Sequence, residues 1–139
     1  MGKKITEVMS TNPCAIEADK PVAYAAKMMK DEDVGLAPIV EGDRLVGTLT
    51  DRDIVTRVVA AGKDPEAVTV REIASTDLVT VDPQQSLDEA LQLMARNQVR
   101  RLPVVEEDGK LVGVVAQADV AREGKDQQTG ELVEEISEG

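Results

Sequence analysis

The sequence predicts an α+β fold (α/β in the broad sense of mixed short strands and helices). It consists of two pseudo-symmetric copies, each β-α-β-β-α, packed sheet to sheet. Three observations predict it. The first is an internal repeat. At an offset of 65 residues Ile16 matches Val81, Ala25 matches Ala90, Met29 matches Met94, Val34 matches Val99 and Pro38 matches Pro103. One residue is inserted after Glu106, and at an offset of 66 Leu45, Gly47 and Asp53 then match Leu111, Gly113 and Asp119. The second is that short apolar runs and helical-period stripes alternate in the same order in both copies. The third is composition. Of 139 residues 42% are apolar and 1% aromatic, so any core is aliphatic, and neither copy is long enough to bury a good one alone.

The predicted boundaries are 5–62 for the first copy, 63–69 for a connector, 70–124 for the second copy and 125–139 for an acidic, flexible tail. Ile5 to Met9 reads as a helical turn that Asn12-Pro13 breaks. Cys14 to Glu17 reads as a short strand. Pro21 opens a helix with Val22, Ala25, Ala26 and Met29 on one face, and Tyr24 falls off that stripe. Ala37 to Glu41 and Arg44 to Leu49 are strands around a Gly42-Asp43 turn. A helix from about Asp51 is expected to turn Ile54, Val55, Val58 and Val59 inward and to stop near Gly62. The second copy repeats the order. Val70 to Ile73 is a turn and Leu78 to Val81 a strand. Ser86-Leu87-Asp88-Glu89 is a capping box opening a helix. Leu102 to Val105 and Leu111 to Val115 are strands, and Ala118 to Arg122 starts the last helix.

The chain is organised around the stretch from Leu45 to Asp53, where a strand runs into a helix. Gly47 admits a close approach by another backbone or by a ligand. Thr50 stands as N-cap with Asp53 three residues on. A Thr-x-x-Asp at a helix start is usually only a cap. Here the layout recurs at Asp119, with Ala116 in place of Thr50. Helix N-terminal N–H groups suit an anion, Asp53 can accept two hydroxyl hydrogen bonds from a ribose edge, and Arg52 adds positive charge.

Composition removes several function classes. The formal charge is −11 and there is no Phe or Trp, so neither a phosphate backbone nor stacked bases would be well served. Nucleic acid is not an expected partner. With no His and one Cys, no internal disulfide and no Ser-His-Asp or Cys-His catalysis is available. No apolar run approaches a membrane span, no signal-peptide core is visible, and a cytoplasmic location is expected. No Walker-type Gly-Lys-Ser/Thr run and no matched pair of catalytic carboxylates is present, so no enzyme activity is expected.

Two motifs then carry a family resemblance. Each copy has a Pro-bracketed second strand (Ala37-Pro38-Ile39-Val40 and Leu102-Pro103-Val104-Val105) and a Gly-x-x-[Thr]-x-x-Asp junction. The chain resembles a tandem pair of CBS domains, a Bateman module, over about Ile5 to Gly124. It is similar to the small stand-alone prokaryotic CBS-pair proteins, and the Leu49 to Val55 and Gln98 to Val104 strings are especially like the hypoxic-response and general stress members.

The resemblance implies a regulatory module without a required cofactor. It would hold an adenosyl ligand (AMP, ADP, ATP, S-adenosylmethionine or NAD) between the repeats and act through the geometry of a homodimer or a protein partner. The alternative it leaves is a ligand-independent homodimeric interaction module. Carried over, one cleft is implied to use Asp53 for the ribose, Thr50 and its helix N–H groups with Arg100 or Arg101 for phosphate, and the segment around Thr80 and Val99 to Pro103, with the Arg52 charge nearby. Arg100 and Arg101 have a plainer role open to them, pairing with surface carboxylates. A second, weaker cleft is implied around Asp119, Cys14, Val34, Gly35 and Pro38, because Ala116 lacks a hydroxyl and Gly35-Leu36 stand where Arg100-Arg101 stand in the second copy.

Overall fold

The computed structural model describes residues 3–128, with side chains through residue 123. The predicted flexible tail begins at residue 125, but the last helix runs on to Gln128, and from residue 129 on the tail lies outside the described residues. A 3-10 turn at Ile5–Glu7 precedes β1 (Ile16–Glu17), α1 (Val22–Glu32), β2 (Leu36–Glu41) and β3 (Arg44–Thr50). Then come α2 (Asp51–Ile54), continued as a π-helix over Val55–Val59, and α3 (Val70–Ile73). The second half holds α4 (Leu87–Asn97), β4 (Arg101–Val105), β5 (Leu111–Ala116) and α5 (Gln117–Gln128).

In the first sheet β1 pairs parallel with β2, and β2 pairs antiparallel with β3. In the second sheet β4 pairs antiparallel with β5. The strand expected over Leu78 to Val81 is reduced to one parallel bridge from Val81 to Val104. Pro83 ends the run there: the matching Ala18 N–H donates to Val40 O at 2.9 Å in the first half, and a proline has no N–H to donate. The strand expected from Cys14 begins only at Ile16, because Cys14 has φ of 55° in the left-handed region.

The two halves exchange their leading segments. Val70 and Ile73, which open the second copy, are buried with Ile16, Ala25, Ile39 and Leu49 of the first. Ile5, which opens the first copy, is buried with Val81, Ala90, Met94 and Leu102 of the second. Backbone hydrogen bonds fix both crossings. Val70 N–H donates to Lys20 O at 2.8 Å, and Ile5 N–H donates to Gln85 O at 2.8 Å. At the far end the hairpin turns meet, with Leu45 N–H donating to Gly109 O at 3.0 Å and Leu111 N–H to Asp43 O at 2.9 Å.

The repeated glycines make the crossings possible. Gly47 lies opposite Ile39 and Gly113 opposite Val104, each at a register shift in its hairpin. A Cβ on Gly113 would stand 2.6 Å from Ser10 O and 2.9 Å from Met9 Sδ, whereas one on Gly47 would stand 3.1 Å from Ser75 O. The close neighbour is thus the backbone of the exchanged segment. Gly113→Ala is expected to cost about 1–3 kcal/mol by overpacking, and Gly47→Ala less. Urea unfolding of the two variants measures the difference.

Among the described residues, the helix after Thr50 departs most from expectation. It passes from α to π geometry, with Ala60 N–H donating to Val55 O at 2.8 Å and Lys63 N–H to Val58 O at 2.9 Å. The wider turn rotates the face. Val58 is fully buried, Ile54 is half-buried, and Val55 and Val59 are 57% and 68% exposed. The crowding of β-branched Val55, Thr56, Val58 and Val59 is the local reason available for leaving the tighter helix. Among the described residues no helix is long and apolar enough to cross a membrane.

Candidate functional site

Two grooves form where the halves meet, and they are built from matching positions. One, of about 260 Å³, has Asp53 at its edge. The other, of about 340 Å³, has Asp119. Ser75, Asp77, Val79 and Val99 line the first, and the residues 65 positions earlier, Ser10, Asn12, Cys14 and Val34, line the second. The exchanged leading segments therefore supply one wall of each groove.

The Asp53 groove starts from a local device. The Thr50 side chain caps α2 by accepting from Asp53 N–H at 3.0 Å, and Asp53 Oδ2 accepts from Thr50 N–H at 2.9 Å. This reciprocal box holds the carboxylate at the groove edge, where its side chain is 16% exposed. Four residues on, Arg57 Nε lies 3.8 Å from Asp53 Oδ1. The same guanidinium donates to Ile73 O at 2.8 Å, so an exchanged segment anchors it. An ionised carboxylate offers about four acceptor sites, so the cap leaves capacity for a diol.

The structure gathers some of the candidate residues and not others. Thr50, Asp53, Val99, Arg101 and Pro103 all line this groove. Thr80 does not line it, while its neighbours Val79 and Val81 both pack with the second core. Arg52 is exposed on α2 and does not line it either. Arg100 is exposed and lines a separate hollow between α4 and α5, while its carbonyl accepts from Gln117 N–H at 2.7 Å. Two of the outward helix N–H groups expected for an anion, those of Asp51 and Asp53, are taken up, as is that of the cap residue Thr50. Thr50 N–H and Asp53 N–H are in the capping box, and Asp51 N–H donates to Gly35 O at 3.0 Å. Positive charge in this groove comes from Arg57 and Arg101 instead.

Arg57, Ser75 and Asp77 were not legible as groove residues. Arg57 had a signal in its spacing of four from Asp53, which places both on one helix face. Ser75 had one in its match to Ser10. Neither spacing says that the segment after α3 crosses to the first half.

In the Asp119 groove, Asp119, Cys14 and Val34 are lining residues, and Gly35 and Pro38 are not. Asp119 Oδ1 accepts from Arg122 at 2.6 Å. The Cys14 thiol donates to Glu32 Oε1 at 3.6 Å. Burial first, then that hydrogen bond and the Glu32 charge, push the thiol pKa up, and Arg101 pulls partly the other way. Cys14 is therefore expected to alkylate more slowly than an unperturbed thiol. Glu32→Gln is expected to speed it, because the carboxylate that opposes the thiolate is gone. Iodoacetamide rates against pH measure both.

Two half-size copies sharing two matched grooves define a paired-repeat module, and the family model for the CBS domain matches residues 5–60 and 70–126. The chain belongs to the CBS-domain family. It is similar to CBS domain-containing protein YhcV of Bacillus subtilis, 43% identical over 117 residues that span 84% of this chain and 82% of that one. It is similar also to hypoxic response protein 1 of Mycobacterium tuberculosis, 41% identical over 117 residues, spanning 84% and 81%.

A crystal structure of Hypoxic Response Protein I with two coordinated zinc ions superposes with a TM-score of 0.79 at 40% identity, covering 86% of this chain and 98% of that one. The zinc belongs to that protein. This chain has no His and one Cys, and among the described residues no three His, Cys, Asp or Glu side chains gather as a metal site. The CBS domain pair of protein MJ0100, in complex with 5′-methylthioadenosine and S-adenosyl-L-methionine, superposes with a TM-score of 0.79 over 91% of this chain and 99% of that one. At 23% identity that likeness speaks for the fold alone.

Proposed function

We propose that this chain is a non-enzymatic regulatory module that binds an adenosyl nucleotide in the Asp53 groove and reports occupancy through the geometry of a homodimer or partner. The observation that carries this reading is one groove holding a capped carboxylate beside two guanidinium groups. Asp53 accepts the ribose hydroxyls. Arg57 and Arg101 meet phosphate as planar donor forks. Adenine packs against Leu36, Val79 and Val99, aliphatic lining residues that suit a chain almost without aromatics. Thr50 sets the position of Asp53, and Pro103 closes the wall. At about 260 Å³ the groove sits just below the usual size of small-molecule sites, room for one nucleoside with its phosphates toward the mouth.

The test is a thermal-shift panel with AMP, ADP, ATP, S-adenosylmethionine and NAD. A bound ligand at about 100 times its dissociation constant is expected to add ~2.7 kcal/mol of stability. A flat response across the panel would overturn the reading.

A second reading, a ligand-independent homodimeric interaction module, is favoured by one observation. Val55 and Val59 are exposed on the π-helix beside a hollow between α1 and α2 lined by Ala26, Met29 and Ile54. A second copy would cover the two exposed valines, with Lys30, Asp33 and Asp51 of the hollow at the rim of the contact. A stable dimer by native mass spectrometry together with a flat nucleotide panel would favour this reading over the first.

A further inference from the structure

The two grooves share a wall, and its two central residues do not match. Leu36 opens β2 opposite Thr50, and Arg101 opens β4 opposite Ala116. They are equivalent positions of the repeat, and each lines both grooves. The wall is thus one aliphatic side chain and one guanidinium. Among the described residues no carboxylate pairs with Arg101 within 4 Å, while Arg57 and Arg122 are each paired to a carboxylate of their own helix.

The charges around that cation differ. The Asp53 groove holds Asp53 and Asp77 with Arg57 and Arg101, two of each sign. The Asp119 groove holds Glu32 and Asp119 with Arg101 alone. Where the first half has Arg57, the second has Glu123, which is ion-paired with Lys3.

We infer that Arg101 is a phosphate contact shared by the two grooves, so that one chain holds one phosphorylated nucleotide, in the Asp53 groove, while the Asp119 groove accepts an unphosphorylated nucleoside. The inference rests on the reading of function given above. A phosphate in the Asp53 groove draws the guanidinium to that side, where Arg57 already stands. A second phosphate on the other side then faces Glu32 and Asp119 with no unpaired cation lining the groove. Like charges at close range in a partly buried groove disfavour it. An uncharged nucleoside carries no such penalty and still finds the Asp119 carboxylate for its diol. Cys14 sits in the Asp119 groove and feels the Arg101 charge, so its reactivity senses where the guanidinium lies.

Calorimetric titration of the full chain tests this. ADP is expected to bind at one per chain, and adenosine titrated into ADP-saturated protein is expected to add one more. Leu36→Arg, which gives the wall a second guanidinium, is expected to raise the count to two ADP per chain. Arg101→Gln is expected to weaken ADP by about tenfold or more and adenosine by a smaller factor, since the phosphate loses a charged donor. Two ADP per wild-type chain with affinities within about threefold of each other would overturn the inference alone. So would adenosine failing to bind the ADP-saturated chain. Absence of any ADP binding would overturn the reading of function and this inference with it.

Discussion

Ile5→Ala is expected to loosen the second half of the molecule, not the half in which residue 5 lies in sequence. Ile5 is fully buried among Val81, Ala90, Met94 and Leu102. Truncating it removes apolar contact and leaves a cavity, at a cost of about 2–5 kcal/mol. Against a typical domain stability of about 5–15 kcal/mol, that is a large fraction. Ile73→Ala is the mirror experiment. Ile73 is buried with Ile16, Ala25, Ile39 and Leu49, so its loss should loosen the first half. Its carbonyl also holds Arg57 at 2.8 Å, so the Asp53 groove should feel the change as well. Amide hydrogen exchange separates the two outcomes, because local openings report the half that is weakened. For Ile5→Ala, faster exchange is expected in α4 and β4. Faster exchange confined to α1 and β2 would contradict the exchanged packing.

Asp53→Asn is expected to remove most of the nucleotide-induced stabilisation while leaving the unliganded protein close to wild type. The asparagine keeps one oxygen to accept from Thr50 N–H, the bond that Asp53 Oδ2 makes at 2.9 Å. What it loses is the charged acceptor for the ribose diol and the partner of Arg57. A hydrogen bond to a charged group contributes about 1.5–3 kcal/mol net, so affinity should fall roughly tenfold to a hundredfold. Asp53→Ala is the less informative variant. It also breaks the capping box, which costs about 1 kcal/mol of helix stability unrelated to ligand. Melting curves with and without nucleotide, compared between wild type and Asp53→Asn, measure the effect. An unchanged shift in Asp53→Asn would remove Asp53 from the site.

What was legible in the sequence was whatever a few neighbouring residues control. The capping boxes at Thr50-Asp53 and Ser86-Glu89 are present as read, with Glu89 N–H donating to Ser86 Oγ at 3.2 Å. The two hairpins and the helix starts fall within a residue or two of expectation. The departures have local causes that periodicity alone does not register. The left-handed Cys14 shortens β1, and the π-turn after Ile54 moves Val55 and Val59 from the core to the surface. For the groove, Thr50, Asp53, Val99, Arg101 and Pro103 were named from the repeat and the resemblance, whereas Arg57, Ser75 and Asp77 needed the fold.

By itself the sequence determined that there are two copies, the order of most of their elements, and that a carboxylate stands at each strand-to-helix junction, capped at Asp53. These follow from hydrogen bonds and apolar spacing within a turn or a strand, and so can be read from residues close in the chain. Only the tertiary structure decided that the leading segments trade places and that one unpaired arginine faces two grooves. Both depend on contacts between residues far apart in sequence, where the gain from burying Ile5 and Ile73 is realised only once the two halves have met.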